Sequence, residues 1–412
     1  MSLAWLSVGA LVVAVTLSCT TTINVGVLAL ALALAVGVFL GDMTPAAVLR
    51  GFPAELLVTL IGVTLLFAIA EVNGTLERLT ARAVRACRGH AGALPVMFFF
   101  VGFAVSTIGA GATPASALLA PPAMAVAARA GVPPLLMAIM AGNGALAGTL
   151  SPFAPTGIVA HGVMARIGLD GVVAATFAYN ALAHAFVGIT GFLVLGGWRL
   201  FRRGATRAAA EERMLAFERP HWLTAAGIAV LIAAVAGFGF DTGMIALMVS
   251  AALILLRAAD EARAIQRMPW GVMLMVTGVT VLIALMQSAQ GLDLITGAIA
   301  SLSTPATIAP VVAFGSGVVS VYSSTSGVVL PAFLPMAPDL AQRLGGVDPL
   351  DIAWSINVGA SLVDLSSLST VGALFIAGAP PGTDTRALFN GLLAWGLSMS
   401  LVGAGLCWLF FA

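Results

Sequence analysis

The chain has 412 residues, 60% of them hydrophobic and only 8% charged, with a formal net charge of +1 and a mean hydropathy of +1.08. No soluble globular domain has this balance, and a charge near zero offers no nucleic-acid footprint. The apolar runs are continuous rather than alternating, which excludes a membrane barrel and leaves an all-α polytopic membrane protein lying in the lipid bilayer.

The first two spans are 3–18 and 23–41, separated by Thr20-Thr21-Thr22. No basic residue precedes the first, so it reads as a membrane helix rather than a signal peptide. Residues 52–80 predict a longer span with an extension carrying Arg78, Arg82, Arg85 and Arg88. Residues 95–128 do not read as one crossing. Two apolar arms flank Ser106-Thr-Ile-Gly-Ala-Gly-Ala-Thr-Pro-Ala-Ser116, and at about 1.5 Å per residue each arm reaches roughly halfway across the bilayer, as in a re-entrant hairpin. Residues 133–165 predict a helix broken at Thr149-Leu-Ser-Pro-Phe-Ala-Pro-Thr-Gly157, and 172–200 a fifth span. A polar, Arg-rich linker over 201–220 follows. The second half then predicts spans at 221–239, 242–257 and 268–289, and a hairpin at 306–342 with its tip at Tyr322-Ser-Ser-Thr-Ser-Gly327. A broken helix at 350–379 and a last span at 387–411 complete it.

The halves 1–200 and 221–412 are related. Gly144-Ala145, Leu150-Ser151 and Gly157 recur as Gly359-Ala360, Leu365-Ser366 and Gly372, 215 positions later. Pro53, Gly62-Val63-Thr64, Leu66, Ala68 and Leu76 recur at an offset of 216 as Pro269, Gly278-Val279-Thr280, Leu282, Ala284 and Leu292. Gly26 and Pro114 recur at 217 as Gly243 and Pro331. Five spans and one hairpin per half, an odd number, make the second an inverted repeat of the first, as in secondary transporters. With the N-terminus outside, every arginine except Arg50, Arg166 and Arg343 faces the cytoplasm, both termini are periplasmic, and the hairpins open to opposite sides.

Breaks inside a membrane create helix termini whose free N–H groups and positive dipole ends attract anions, while unwound carbonyls suit a small cation. Hydroxyls gather there: Ser106, Thr107, Thr113, Thr149, Ser151 and Thr156 in the first half, and Ser323, Ser324, Thr325, Ser326, Ser366, Ser367, Ser369 and Thr370 in the second. Asn143 and Asn357, just ahead of the breaks, can offer amide oxygens to a cation. With Thr149, Ser326 and Asp364 they form the candidate cation-binding set; Ser106, Thr107, Thr113, Ser151, Thr156, Ser323, Ser324, Thr325, Ser366 and Thr370 are the candidates for substrate. No arginine falls in these stretches, so an anion there depends on dipoles, hydroxyls and a co-bound cation. Asp364 is the carboxylate in a break, opposite Thr149. It can ligate a cation, carry a proton, or cap a half-helix. Glu71 lies in the third span opposite Gln287, and both a functional and an interfacial role fit it. His161 and His184 read as local hydrogen-bonding groups. Cys19, Cys87 and Cys407 form no CxxC pair, so neither a metal site nor a disulfide framework is expected, and no resident cofactor. No HExxH, P-loop, nucleophile elbow or triad spacing is present, so an enzyme is not expected.

Ile23-Asn-Val-Gly-Val-Leu-Ala-Leu30, Gly51-Phe-Pro-Ala-Glu-Leu-Leu-Val-Thr-Leu-Ile-Gly-Val-Thr64, Glu71-Val-Asn-Gly-Thr75 and Gly109-Ala-Gly-Ala-Thr-Pro114 resemble the MatC-type malonate/dicarboxylate carrier family. The resemblance is closest over about the first 170 residues. It implies the ion transporter superfamily, which includes the divalent-anion:sodium symporters: a scaffold and a transport domain, commonly a homodimer, moving as an elevator. In those symporters each hairpin tip carries a Ser-Asn-Thr motif. Here the Asn is absent from both tips, and Ser324 and Thr325 match the flanking residues. The expectation is a bacterial inner-membrane importer of a small dicarboxylate, malonate or a C4 acid, coupled to Na+ or H+. Alternatives are a cation/proton antiporter of the same superfamily, a passive channel, or a membrane subunit needing a soluble binding protein.

Overall fold

A computed structural model describes residues 2–21, 23–86, 90–202 and 216–412. Thr22, Cys87, Arg88, Arg203, Arg207, Arg213 and most of the expected linker lie outside them. Among the described residues the secondary structure is helical, with no strand. In the first half α1 (Leu3–Thr20) leads to α2 (Val25–Leu34), prolonged by a π turn over Ala35–Leu40, then a short α3 (Pro45–Leu49) and α4 (Ala54–Val72). The span expected over 52–80 is cut at Asn73-Gly74. Gly74 takes φ +76, a conformation glycine adopts at no steric cost. The Asn73 carboxamide oxygen accepts from the backbone N–H and the hydroxyl of Thr75 at 3.1 and 2.6 Å, so the chain restarts as α5 (Thr75–Ala86).

The first hairpin is α6 (Ala93–Val105), a π turn over Ser106–Ala110 and α7 (Ala112–Ala130). Its tip reverses on Gly109 (φ +129) and Gly111 (φ +79). The first broken helix is α8 (Pro134–Ala147) and α9 (Pro155–Arg166), followed by α10 (Val173–Val194) and a 3-10 turn over Gly197–Arg202. The second half runs α11 (Arg219–Ile232), α12 (Thr242–Leu255), α13 (Glu261–Arg267), α14 (Trp270–Ser288) and α15 (Gly291–Ser301). The helices α13 and α15 were not expected. They stand in the places that α3 and α5 hold in the first half. The second hairpin is α16 (Ile308–Tyr322), a π turn over Thr325–Val329, α17 (Leu330–Phe333) and α18 (Ala337–Leu344). The second broken helix is α19 (Pro349–Leu362) and α20 (Thr370–Ala377), and α21 (Thr385–Phe411) ends the chain.

Among the described residues six helical segments are long and apolar enough to cross a membrane: Ala54–Val72, Ala93–Ala110, Val173–Val194, Trp270–Ser288, Pro349–Ala377 and Thr385–Phe411. The α1, α2, α11 and α12 helices are apolar but shorter. Large apolar side chains such as Leu182, Phe186, Leu401 and Phe410 stand exposed on α10 and α21, as a lipid-facing surface requires.

The packing sorts the helices into two groups. In one, α2 lies on α14, α4 on α12, α1 on α15 and α5 on α11. In the other, each hairpin packs on its own broken helix, α6 on α8 and α16 on α19. The halves also interlock, since α20 packs on α7 and α9 on α17. Glycines permit the closest approaches. A Cβ on Gly26 would collide with the Leu274 carbonyl of α14, and one on Gly278 with the Gly26 carbonyl. A Cβ on Gly62 would press on the Gly243 carbonyl, and one on Gly243 on Thr59. Since Gly243 is the counterpart of Gly26, and Gly278 that of Gly62, the same contact is made twice with the partners exchanged.

Gly26→Val should therefore force the α2–α14 pair apart. Overpacking a tight interior costs roughly 1–3 kcal/mol, and here the obstructing atoms are backbone. The same change at Gly405, which has nothing within 4 Å, serves as the control. Thermal unfolding of the two variants in detergent should show a lowered midpoint for Gly26→Val alone; equal midpoints would refute the close approach.

Candidate functional site

The two breaks fold alike. In the first, the N–H of Ser151 donates to the Gly148 carbonyl at 3.1 Å and that of Ala154 to the Ser151 carbonyl at 3.0 Å. In the second, the N–H of Ser366 donates to the Val363 carbonyl at 2.9 Å and that of Ser369 to the Ser366 carbonyl at 3.0 Å. Each pair lies 215 positions from its counterpart. Gly157 and Gly372 then let the following half-helix run against the turn, because a Cβ on either would strike the carbonyl of Ser151 or Ser366. The half-helix α20 is capped by Ser369, whose hydroxyl accepts from the Gly372 N–H at 3.3 Å. Asp364 is thus not the cap; it sits in a 3-10 turn at the end of α19.

These elements enclose a cavity of ≈ 290 Å³ between the hairpin tips, the breaks and the α2–α14 wall. Four starting turns converge on it: Thr113 at the start of α7, Thr156 of α9, Ser324 and Ser326 of the turn leading into α17, and Thr370 of α20. Helix N-termini bring unpaired N–H groups and the positive end of the dipole, so four of them form a receptor for negative charge. No Arg, Lys or His is among the described residues that line it. Thr149, Ser323, Thr325 and Asp364 line it too.

Asp364 is half-buried. Its Oδ1 accepts from the Thr325 hydroxyl at 2.6 Å and from the Ser320 hydroxyl at 3.3 Å, both on the second hairpin. Ser320 and Thr325 also share a hydrogen bond, and the Ser369 hydroxyl donates to the Asp364 carbonyl. The carboxylate is therefore held by hydroxyls, which can rotate to offer oxygen instead of hydrogen. The wall of the cavity thus combines one ionisable carboxyl group with four helix starts, groups of opposite preference for bound charge.

Of the residues expected at the site, Thr113, Thr149, Thr156, Ser323, Ser324, Thr325, Ser326, Asp364 and Thr370 line the cavity. The others do not line it. Ser151 donates to the Thr107 carbonyl at 2.6 Å, tying the first break to the first tip. The Ser366 hydroxyl accepts from the Leu368 N–H at 3.3 Å. The Ser106 and Thr107 hydroxyls are buried with no hydrogen-bond partner. Asn143 and Asn357, expected to hold a cation, are buried within the helix packing instead. Asn143 donates to the Ile139 carbonyl and pairs with His184 at 3.0 Å, while the Asn357 amide points to the Met164 sulfur. Ser369, one of the hydroxyls expected at the second break, lines the cavity as well, whereas sequence reasoning missed Ser320 and the apolar wall of Val25 and Met275. Ser316 and Ser320 are four residues apart on one helix face, a signal that could have found Ser320. Nothing local marks Val25 or Met275.

Comparisons with known proteins agree with this architecture. The family model described as the dicarboxylate carrier protein MatC N-terminus matches residues 1–149. No curated protein matches the chain in sequence. Among solved structures the chain is similar to the YdaH transporter of Alcanivorax borkumensis, at a TM-score of 0.59 and 15% identity, covering 91% of this chain and 88% of that one. It is also similar to MtrF of Neisseria gonorrhoeae, described with a class of antimetabolite efflux pumps, at a TM-score of 0.58 and 16% identity, covering 89% of this chain and 83% of that one. At such identities the likeness is one of fold. The MatC resemblance is met by a family match over residues 1–149, and the fold is that of an all-α polytopic membrane protein, similar to these two transporter structures.

Proposed function

We propose that the protein imports a small dicarboxylate, malonate or a C4 acid, across a bacterial inner membrane together with Na+ or H+. The observation that carries the reading is the convergence of four helix starts on one cavity that also holds a carboxylate. Each hydrogen bond to a charged group contributes about 1.5–3 kcal/mol, so a few N–H and hydroxyl donors suffice for a dianion without an arginine. Asp364 supplies the coupling. Its charge repels a dianion in the same small cavity unless a cation or a proton neutralises it, so substrate and coupling ion favour each other's binding reciprocally.

The two packing groups suit an elevator, with α1–α5 and α11–α15 as scaffold and the hairpins, broken helices, α10 and α21 as the moving body. The tips meet the scaffold through glycine: a Cβ on Gly109 would collide with Phe67, and one on Gly327 would press on Met275. Small residues at a sliding face leave no side chain to interlock. In this reading the halves are inverted repeats, the scaffold supplies the interface of a homodimer, and both termini are periplasmic.

Two measurements test the proposal. For topology, single cysteines replace exposed His90 and Gln342 in a Cys-free background. An impermeant thiol reagent should label the first from the cytoplasm and the second from outside; labelling from one side only would refute the inverted arrangement. For coupling, Asp364→Asn keeps the shape and removes the charge. Gradient-driven uptake into liposomes by the purified variant should fall tenfold or more, the scale of about 1.4 kcal/mol, while counterflow persists. Unchanged substrate affinity then assigns the coupling to H+, and a joint fall in cation and substrate affinity assigns it to Na+. Uptake as steep as wild type would remove Asp364 from the coupling.

A further inference from the structure

The substrate cavity opens into a second one, of ≈ 310 Å³, that shares Thr113, Thr156, Ser324, Ser326 and Thr370 with it. This second space extends past Phe67 to Glu71 at the end of α4 and Arg267 at the end of α13. There Arg267 Nη1 lies 3.4 Å from Glu71 Oε1, and the two side chains are 67% and 43% exposed. On the far side of the pair is an outer recess, lined by Glu71 and Arg267 again and by Val72, Arg263 and Gln266. The pair therefore stands at a mouth, between the outside and the route to the helix termini.

Three observations set this pair apart from a structural tie. Arg267 is the one cationic side chain among the described residues lining either cavity. An ion pair this exposed contributes little to stability. The pair is also absent from the related half: at the offset of 216, Arg267 corresponds to Gly51 and Glu71 to Gln287. The glycine contacts that hold the halves together occur twice, whereas this contact occurs once.

We propose that Arg267 is a vestibule binding point for one carboxylate of the transported dianion, with Glu71 as its built-in competitor. The assignment rests on the dicarboxylate reading above. A guanidinium carries five N–H donors in a fork that matches a carboxylate, so a ligand can engage it while Glu71 shares it. Low-dielectric walls focus the field of such a charge and raise the local concentration of anions. Glu71 limits how tightly the anion is held, which keeps the vestibule from becoming a trap. The opposite mouth, with Gly51 and Gln287 in these places, has no such pair, so the aid is one-sided. The topology proposed above puts it on the cytoplasmic face.

The test uses the full-length protein in vesicles of uniform orientation, with malonate and succinate presented separately to each face in counterflow. Arg267→Gln should raise half-saturation at the cytoplasmic face about five- to tenfold and flatten its dependence on salt, as expected when a charge contact is lost. The change falls on half-saturation at that face rather than on the maximal rate. Glu71→Gln should lower half-saturation at the same face, and Arg267→Lys, which keeps the charge but not the fork, should show a smaller rise than Arg267→Gln. The opposite signs are diagnostic, because both glutamine variants break the same ion pair. If the pair were only a structural tie, both would shift in one direction, and that result overturns the vestibule assignment. So does an absence of any shift in both, or an equal shift at the two faces. If the wild type moves neither malonate nor succinate, the dicarboxylate reading and this one fall together.

Discussion

Every backbone N–H and C=O in the hydrocarbon layer has to find a partner inside the protein or in a water-filled cavity. Two stretches of this chain strain against that constraint, Gly148–Ala154 and Val363–Ser369, where helices stop in the middle of long apolar segments. The structure meets it locally with successive turns and with hydroxyls. Ser151 donates to the Thr107 carbonyl, and Ser369 donates to the carbonyls of Asp364 and Ser366. The cavity between the breaks and the tips gives the interrupted helices polar space that water or a ligand can fill. The site is thus where the broken helices are allowed to be broken.

Covering the breaks dictates the rest of the packing. Each break has its own hairpin against it through the first arm, and the second arm, α7 or α17, packs on a half-helix of the other half. Such approaches are possible only where side chains vanish. A Cβ on Gly144 would strike Phe99 backbone, and one on Gly359 would strike Ala313 backbone. Gly144 and Gly359 are counterparts in the duplication, as are Gly157 and Gly372. The abundance of glycine in the chain therefore carries geometry: at these positions the residue fixes the distance between helices.

Much of this was legible in the sequence, because duplication and polarity leave local marks. The breaks at Thr149–Gly157 and Asp364–Thr370, the two hairpin tips and the hydroxyls that line the cavity all lie in polar interruptions of apolar runs. What could not be read was decided by distant partners. Asn143 and Asn357 occupy matching positions ahead of the breaks, yet Asn143 turns to His184 on α10 and Asn357 to Met164 on α9. Their burial follows from which helix packs behind them, and no spacing encodes that. Asn73 ended a helix where hydropathy alone suggested a continuous span. Its amide donates to Thr224 and to the Ala258 carbonyl, partners more than 150 residues away. The short helices α13 and α15 were overlooked because they are too brief to register as apolar runs.

The same contrast bears on what the halves share and what they do not. Backbone features repeat: the turns, the close glycines, the starting points of half-helices. Charge does not. Asp364 faces Thr149 across the duplication, so only one break carries a carboxylate. The repeated backbone provides helix starts from either half, and in the proposed mechanism the single unrepeated carboxylate among them makes occupancy by an anion depend on a positive charge. Had both breaks carried an aspartate, two negative charges would face a dianion in one cavity of ≈ 290 Å³, and like charges that close strongly disfavour joint ionisation. Had neither, the helix ends would bind an anion without reference to any cation. One carboxylate is the number that links the two occupancies, and it sits where the hydroxyls of Ser320 and Thr325 join the second hairpin to the break. In the proposed mechanism, neutralising Asp364 and settling that hairpin against α19 are therefore the same local event.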